Sequence, residues 1–314
     1  MRSFREYLKS LLNLTLGGSS GALGIGTLPV EKILGEKRIG IIAGSSSFPL
    51  MLARAAQANG FSVVACCHKG ETSPEMANIV ERAVWIKLGE LGRIIETFKS
   101  AGVKQVALAG GINRVKLFGV KLDARGMKLI ARLKSVKDDI VMRGIADELL
   151  SEGIEVIECT RFMEDQLAKE GILTSRAPSS EELLDIEVGV QAVHALSAQD
   201  IGQTVVVKEG IVIAVEAVEG TDRTIKRAGE LGGSDAIVVK FSKTTQDLRF
   251  DVPTIGMKTI LSMIEAKAKV LAIEAGRCLI LDPEEVLDLA NRHKISIVVC
   301  PQLKREERGR VYAN

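Results

Sequence analysis

A charged loop between Lys240 and Gly256 carries a dense group of residues suited to phosphate chemistry. Within 17 positions it combines three cations, two carboxylates and a Pro-Thr-Ile-Gly turn. Cations suit phosphate oxygens, and a carboxylate suits a hard divalent ion such as Mg²⁺. Loops of this kind often carry function, although a set of ion pairs on the surface explains the same composition. The residues concerned are Lys240, Lys243, Asp247, Arg249, Asp251, Thr254 and Gly256.

A second group of carboxylates comes at the end of an apolar run at 211–217. Alternation along that run predicts that Glu216 and Ala217 lie on opposite faces. A glutamate in an apolar strand is costly to bury unless a metal ion, an arginine or a substrate hydroxyl pairs with it. Glu219 and Asp222 follow directly, and Asp222 is equally explained as a cap of the next helix.

Small-residue turns end the apolar runs at 38–43 and 103–109. A glycine at a strand end lets the backbone approach a phosphate, and serine hydroxyls can donate hydrogen bonds to it. Because the carboxyl ends of parallel strands share one edge of a sheet, we expect the two turns to lie side by side. The first turn matches neither GxGxxG nor a phosphate loop ending in GKS or GKT, so a tight structural turn is the alternative. The candidate substrate-binding residues are Gly44, Ser45, Ser46 and Asn113, with Glu274 after a later apolar run.

The elements that must position these residues alternate between strand and helix from residue 37 onward. Apolar runs of four to eight residues, rich in Val and Ile, predict strands buried on both faces of a parallel sheet. We therefore predict an α/β protein with a Rossmann-like domain over 37–165 and a catalytic mixed α/β domain over 166–314. In the second domain we expect a β-hairpin around Glu209-Gly210 and a strand pair between 270 and 281. Small-residue turns in one domain and the charged loop in the other indicate a phosphorylated ligand held between them.

Residues 1–36 differ from the rest of the chain. They are predicted to form an amphipathic segment followed by a Gly/Ser linker. Such a helix could rest on an anionic membrane surface, on the protein itself or on a second subunit. No run reaches the roughly 18 continuous apolar residues needed to span a bilayer. The apolar stripe consists of Phe4, Tyr7, Leu8, Leu11 and Leu12.

Composition excludes several classes of protein. A net charge of +2 and an aromatic content of 4% argue against nucleic-acid binding, which needs a basic field or stacking side chains. His68, His194 and His293 are too far apart in sequence to suggest a zinc site. Five cysteines without a CxxC pair favour a reducing cytoplasm, where they would serve as small apolar residues.

A series of short motifs lies in order between residue 37 and about residue 300. The motifs are Gly40-Ile-Ile-Ala-Gly44 with Pro49, Asp123-Ala-Arg-Gly126, Asp138-Asp139, Asp200-Ile-Gly-Gln203, Val215-Glu-Ala217 with Glu219-Gly-Thr-Asp222, Arg249-Phe-Asp-Val-Pro-Thr-Ile-Gly256 and Glu274-Ala-Gly-Arg277. Their order and spacing resemble the LpxI type of UDP-2,3-diacylglucosamine pyrophosphatase. The chain departs from that family at Ser45 and Ser46, which replace glycines, and in residues 1–36, which have no counterpart.

The resemblance implies hydrolysis of UDP-2,3-diacylglucosamine to UMP and 2,3-diacylglucosamine 1-phosphate (lipid X), a step of lipid A synthesis that requires a divalent cation. In that family the aspartate of the Arg-x-Asp-x-Pro-Thr-Ile-Gly loop is the critical catalytic residue, and it corresponds to Asp251. This residue would ligate the metal or orient the water that attacks the β-phosphorus. Residue chemistry adds Lys240, Lys243 and Arg249 for the charge on the diphosphate. It also suggests Glu216, Glu219 and Asp222 as further ligands of Mg²⁺ or Mn²⁺.

The family also suggests a homodimer, and the acylated substrate suggests peripheral contact with the cytoplasmic face of the inner membrane. Two other functions remain compatible with the residues. One is a noncatalytic protein that binds nucleotide-sugar or acylated ligands, in which the charged loop only grips phosphate. The other is a nicotinamide-dependent oxidoreductase, which the missing GxGxxG fingerprint disfavours.

Overall fold

The computed structural model describes residues 37–112, 120–135, 138–197, 199, 201–243, 247–250 and 252–302, with the backbone alone at 138 and 139. Residues 1–36, Asn113 and Asp251, for which the sequence predicts roles, lie outside these ranges. Contacts divide the chain into two compact units. The N-terminal unit comprises the described residues of 37–164 together with 247–250, and the C-terminal unit comprises those of 165–243 and 252–302.

The N-terminal unit is built on a parallel sheet of five strands. The strands are β1 (Arg38–Ala43), β2 (Ser62–His68), β3 (Arg82–Ile86), β4 (Gln105–Ala109) and β5 (Glu155–Ile157). Their order across the sheet is β3-β2-β1-β4-β5, and every pairing is parallel. This is the strand order of a Rossmann-like sheet, so the predicted fold class is confirmed for this unit.

Helices connect these strands and bury their apolar faces against the sheet. They are α1 (Phe48–Ala58), α2 (Met76–Ile79), α3 (Leu91–Ser100), α4 (Ala124–Arg132) and α5 (Asp138–Ser151), followed by 3-10 turns at Cys159–Phe162 and Glu164–Gln166. Pro49 lies in the first turn of α1, where its missing N–H is tolerated. Phe98 of α3 is fully buried with Val64 and Val106 of the sheet. Burial of a phenylalanine of this kind contributes about 2 kcal/mol.

The C-terminal unit contains eight strands and four helices among its described residues. In chain order they are β6 (Gly171–Ile172), α6 (Ser180–Ser197), β7 (Thr204–Lys208), β8 (Ile211–Val215), α7 (Thr221–Gly232), β9 (Ile237–Lys240), β10 (Thr254–Ile255), α8 (Met257–Glu265), β11 (Val270–Glu274), β12 (Leu279–Ile280), α9 (Pro283–Arg292) and β13 (Ser296–Cys300). Six of the strands form a mixed sheet in the order β6-β13-β11-β9-β7-β8. The central strands β9, β11 and β13 are parallel, and the strands outside them are antiparallel.

Each face of this mixed sheet is covered by helices. Helix α6 packs on one face through Ile186 and Val190. On the other face, α7, α8 and α9 pack through Ile225, Met263 and Val286. The apolar residues of β7, β9, β11 and β13 are therefore buried on both sides, as their continuous apolar runs predicted, whereas Ile211 and Val212 of the edge strand β8 are exposed. The mixed α/β class predicted for this part of the chain is confirmed.

The predicted hairpin is present, with β7 and β8 antiparallel around Glu209 and Gly210. Both turn residues have positive φ, 50° and 77°, as a two-residue hairpin turn requires. The second strand ends at Val215 rather than at 217, so Glu216 lies just beyond the strand. Two strands are present between 270 and 281, as predicted, but they do not pair with each other: β11 joins the mixed sheet, whereas β12 pairs with β10. Strands of two residues such as β12 are too short for periodicity to distinguish their partners.

Among the described helices, none is both long enough and apolar enough to cross a membrane.

Candidate active site

Polar side chains cluster at the carboxyl end of β9. Lys240 is the last residue of that strand, and its Nζ donates a hydrogen bond to Thr221 Oγ1 at 2.9 Å. The Thr221 hydroxyl lies 3.2 Å from both carboxylate oxygens of Glu216. Thr204 Oγ1 lies at the same distance, 3.2 Å, from Thr221 Oγ1. A cation and a carboxylate are thus connected through one hydroxyl, and we call these four residues the Thr221 cluster.

Backbone groups hold Glu216 in the Thr221 cluster. The N–H of Gln203 donates to Glu216 Oε2 at 3.3 Å, and the N–H of Glu216 donates to the Thr204 carbonyl at 2.8 Å. Gly202 has a φ of +47°, and a Cβ on it would lie 2.0 Å from the Glu216 carbonyl oxygen. Only glycine allows this approach. The motif that ends at Gln203 therefore positions Glu216.

The other two candidate metal ligands on this segment have different surroundings. The Glu219 carboxylate accepts hydrogen bonds from Arg227 at 2.7 Å and from the Ala217 N–H at 3.1 Å. A hydrogen bond within its own residue, followed by those from Arg227 and Ala217, lowers the pKa of Glu219. Asp222 lies in the first turn of α7, where the N-cap is Gly220 and no side chain caps the helix. The structure does not support the alternative in which Asp222 is the cap of this helix.

Glu274 is buried at the end of β11, with 1% of its surface exposed. Its Oε2 accepts a hydrogen bond from the N–H of Ser242 at 3.1 Å. Burial raises the pKa of the neighbouring Cys278 thiol to about 12. The charge of Lys240 opposes this shift and the charge of Glu274 reinforces it. Lys240 and Glu274 are therefore part of the same region of the C-terminal unit. Lys243, three residues beyond Lys240, is half-buried.

Arg249 belongs to the N-terminal unit and forms an ion pair there. Its Nε and Nη2 donate to the two oxygens of Asp247 at 2.9 and 2.6 Å. This pair lowers the pKa of Asp247 and raises that of Arg249. The guanidinium also stacks over the Phe250 ring at 4.9 Å. A phosphate at Arg249 would have to compete with Asp247.

The turn after β1 lies beside the turn after β4, as predicted. Gly44 N–H donates to the Ala109 carbonyl and Ser45 N–H to the Gly111 carbonyl, both at 2.8 Å. The Ser45 hydroxyl also donates to the Gly111 carbonyl, at 2.9 Å. A Cβ on Gly44 would lie 2.4 Å from that same oxygen, so the turns touch through their backbones. These donors satisfy protein carbonyls, which supports the alternative of a tight structural turn at Gly44 and Ser45.

The remaining predicted site residues are Thr254 and Gly256 in the C-terminal unit, Ser46 in the N-terminal unit, and Asn113 and Asp251, which lie outside the described residues. Thr254 is in β10, and its hydroxyl donates to the Val252 carbonyl at 2.8 Å. Gly256 is the N-cap of α8 in an extended conformation. Ser46, back in the first turn, has a φ of 78° and accepts from the Phe48 N–H. Asn113 and Asp251 are among the residues that the structure does not describe, so their roles stay predictions.

Sequence reasoning missed several polar residues next to the candidate ones. Neither Thr221 nor Thr204 was among the candidate residues. His68 was dismissed because it is isolated in sequence, yet its Nδ1 donates to the Ala43 carbonyl at 2.9 Å beside the first turn. Burial lowers the pKa of His68. The one available signal was position, because each residue begins or ends an element at a sheet edge.

No group of three or more His, Cys, Asp or Glu side chains within the described part of the chain is arranged to hold a metal ion. Asp251 lies outside that part of the chain. The predicted metal set of Asp251, Glu216, Glu219 and Asp222 therefore remains a prediction.

Together, the fold and the clusters define an α/β protein with lysine, hydroxyl and carboxylate groups at the edge where open parallel sheets bind ligands. Two family models match the chain, the LpxI N-terminal domain over residues 38–166 and the LpxI C-terminal domain over residues 169–298. The UDP-2,3-diacylglucosamine pyrophosphatase LpxI of Caulobacter vibrioides is 31% identical over 266 residues, which cover 81% of this chain and 94% of that protein. The chain therefore belongs to the LpxI family. The prediction of a hydrolase that acts on a phosphoanhydride is confirmed by this relationship.

Solved structures with a partial likeness include two biotin carboxylases. One is the biotin carboxylase domain of the Hydrogenobacter thermophilus 2-oxoglutarate carboxylase, with 12% identity and a TM-score of 0.26 over 62% of this chain and 40% of that chain. The other is the biotin carboxylase subunit of pyruvate carboxylase, with 11% identity and a TM-score of 0.25 over 63% and 43%. This chain spans less than half of either protein, and scores this low support no conclusion about it.

Proposed function

We propose that the chain hydrolyses the diphosphate of UDP-2,3-diacylglucosamine, releasing UMP and 2,3-diacylglucosamine 1-phosphate in lipid A synthesis. The observation that carries this proposal is the match to a named pyrophosphatase over 94% of that protein's length. The positions of Lys240, Thr221 and Glu216 at one sheet edge support it, because a hydrolase of this kind needs cationic and acidic groups near the reacting phosphorus.

The protein's own residues would divide the work between them. The Lys240 ammonium is half-buried at its strand end and would stabilise negative charge that develops on the diphosphate. Lys243 and Arg249 would contribute to the same stabilisation of negative charge. Arg249 would do so by exchanging its Asp247 partner for phosphate. Asp251 would orient the attacking water or accept its proton.

The carboxylates near α7 offer the oxygen donors that Mg²⁺ and Mn²⁺ prefer. Glu216 fits such an ion, because its described hydrogen-bond partners are a neutral hydroxyl and a backbone N–H. Glu219 fits less well, because the Arg227 guanidinium already occupies one of its oxygens. We propose Glu216, Asp222 and Asp251 as the ligands to test first, with Glu219 as the fourth. A bound divalent cation would neutralise charge on the diphosphate.

The decisive experiment measures UMP release from UDP-2,3-diacylglucosamine by the purified protein with Mg²⁺. We expect turnover that EDTA abolishes and that added Mg²⁺ or Mn²⁺ restores. Titration of Mg²⁺ by calorimetry should show weaker binding to Glu216→Gln than to the wild type. Thermal protection by the substrate without any metal-dependent turnover would instead favour a noncatalytic binding protein.

Asp251→Ala tests the catalytic assignment. We expect the variant to fold and to lose activity by at least about 100-fold, the size of a lost general base. Asp288→Ala is the matched control, because Asp288 is exposed on α9 and its ion-pair partner among the described residues is Arg292, four residues later. Full turnover by Asp251→Ala would refute the assignment, whatever the result for the metal.

We also propose that the enzyme works at the cytoplasmic face of the inner membrane, where an acylated substrate resides. The amphipathic stripe of residues 1–36 supports this location. A homodimer, which family resemblance suggests, is tested directly by sedimentation velocity of the purified chain.

A further inference from the structure

The Thr221 hydroxyl stands between a cation and a carboxylate in the Thr221 cluster. A threonine hydroxyl has one hydrogen to donate and can accept two hydrogen bonds. Here it accepts from Lys240 Nζ at 2.9 Å and can donate to Glu216 at 3.2 Å. Among the described residues, the Lys240 ammonium is thus held by a neutral hydroxyl rather than by a carboxylate.

The backbone fixes each end of this connection. Thr221 is the first residue of α7 and follows Gly220, whose φ of 82° sets the turn into the helix. Glu216 is held by Gln203 and by the close approach of Gly202. Lys240 lies opposite Thr204 in the pairing of β7 with β9. Thr221 is therefore placed by elements that do not depend on the lysine side chain.

A long lysine side chain needs a fixed hydrogen-bond partner if its ammonium is to stay at one position in the site. The ammonium is a compact charge on a flexible four-carbon stem, and it carries three N–H donors. Among the described residues, the Lys240 ammonium donates a hydrogen bond to Thr221, so a further donor can serve an anionic ligand at the carboxyl edge of the sheet. Contact with a neutral hydroxyl also leaves the charge of Lys240 available, whereas a carboxylate would neutralise it.

We propose that Thr221 is a positioning residue that holds the Lys240 ammonium in place for the diphosphate of the substrate. This inference rests on the proposed function for the identity of the anion. The position of Lys240 itself can be measured without any substrate.

Two substitutions distinguish the effect of the Thr221 hydroxyl from the effect of the side chain's volume. Thr221→Val keeps the volume and removes the hydroxyl, whereas Thr221→Ser keeps the hydroxyl. We expect Thr221→Val to lower kcat by about tenfold or more, the effect of losing a hydrogen bond to a charged group, with a smaller change in KM. Thr221→Ser should retain kcat within about twofold.

A double-mutant cycle with Lys240→Met shows whether Thr221 acts through the lysine. If it does, Thr221→Val should cause little further loss of kcat in the Lys240→Met background. An equal loss in both backgrounds would overturn the proposal, because a merely structural role does not depend on residue 240.

Acetylation by an N-hydroxysuccinimide ester, followed by mass spectrometry, measures the reaction rate of the Lys240 amine in the absence of substrate. We expect the rate at Lys240 to change several-fold in Thr221→Val and to return to the wild-type rate in Thr221→Ser. Lys208 is the internal control, because its Nζ donates to the Gly232 carbonyl at the other end of α7, and its rate should stay constant.

These measurements distinguish failure of the inference from failure of the proposed function. Wild-type protein without turnover, but with the expected labelling difference, would refute the pyrophosphatase and leave the positioning role supported. Active wild-type protein whose Lys240 labels equally in all variants would refute the positioning role alone.

Discussion

Five buried cysteines are distributed over both units, and the protonation of each thiol depends on the surroundings of that single residue. All five cysteines are buried, in agreement with their interpretation as small apolar residues. Burial raises the pKa of Cys66 and of Cys278 to about 12, from an ordinary value of 9.0. Thiolate, the reactive form, is therefore scarce at neutral pH. Burial therefore favours a packing role for Cys66 and Cys278.

The raised thiol pKa values predict a loss of stability in alkali. Between about pH 9 and pH 12 the unfolded chain releases the Cys278 proton while the folded chain keeps it, so the free energy of unfolding falls as the pH rises. The slope from one such thiol is about 1.4 kcal/mol per pH unit. Urea unfolding at pH 8 and pH 10 checks this, and Cys278→Ala should show the shallower dependence. Identical slopes in both proteins would contradict the prediction.

Asp123 shows how one residue of a recognised motif acts at the level of elements. Its two carboxylate oxygens accept hydrogen bonds from the N–H of Gly92 in α3 at 2.7 Å and of Gly126 in α4 at 2.8 Å. One carboxylate thus satisfies donors in the first turns of two helices, where negative charge is also favoured. The Asp123-Ala-Arg-Gly126 motif therefore has a structural explanation.

Asp123→Ala should destabilise the N-terminal unit by about 2 kcal/mol, because two helices lose a capping acceptor. Hydrogen exchange measured by mass spectrometry should show faster exchange in peptides that cover the starts of α3 and α4. Asp123→Asn, which keeps one acceptor oxygen, should give an intermediate result. Unchanged exchange in both peptides would show that the caps contribute little.

The ends of elements were harder to predict than their existence. The hairpin of β7 and β8 was recognisable from its two-residue turn and apolar alternation. Its last residue was not, because Glu216 continues the alternating pattern although the ladder stops at Val215. Glu216 still donates its N–H to the Thr204 carbonyl, and its carboxylate belongs to the Thr221 cluster. Periodicity does not report where the pairing of two strands ends.

At the scale of the whole molecule, the charged loop is divided between the two units. Lys240 and Gly256 belong to the C-terminal unit, whereas residues 247–250 group with the N-terminal unit. Phe250 packs against the apolar core of that unit. A loop that reads as one continuous motif in the sequence therefore contributes to two separate cores.

Residues 1–36 carry the prediction that concerns the whole protein and its surroundings. We expect the full chain to sediment with vesicles that contain anionic lipid, because an apolar stripe and nearby basic residues favour that surface. A chain without residues 1–36 should stay in the supernatant, and neutral vesicles should bind neither protein. Replacing Leu8 and Leu11 by glutamate in the full chain should reproduce the deletion. Equal sedimentation of the full and shortened chains would show that residues 1–36 do not bind the membrane surface.

The sequence by itself determined the α/β class, most strands and helices, and the family, because periodicity and short motifs are local properties of the chain. It also selected Lys240 and Glu216 as candidates by residue type. Only the tertiary structure decided that Thr221 connects them, that Asp247 holds Arg249 and that Asp123 serves two helices. Such partners depend on strand order, register and the exact end of each element, which bring distant residues within hydrogen-bonding distance and leave no periodic signal in the sequence.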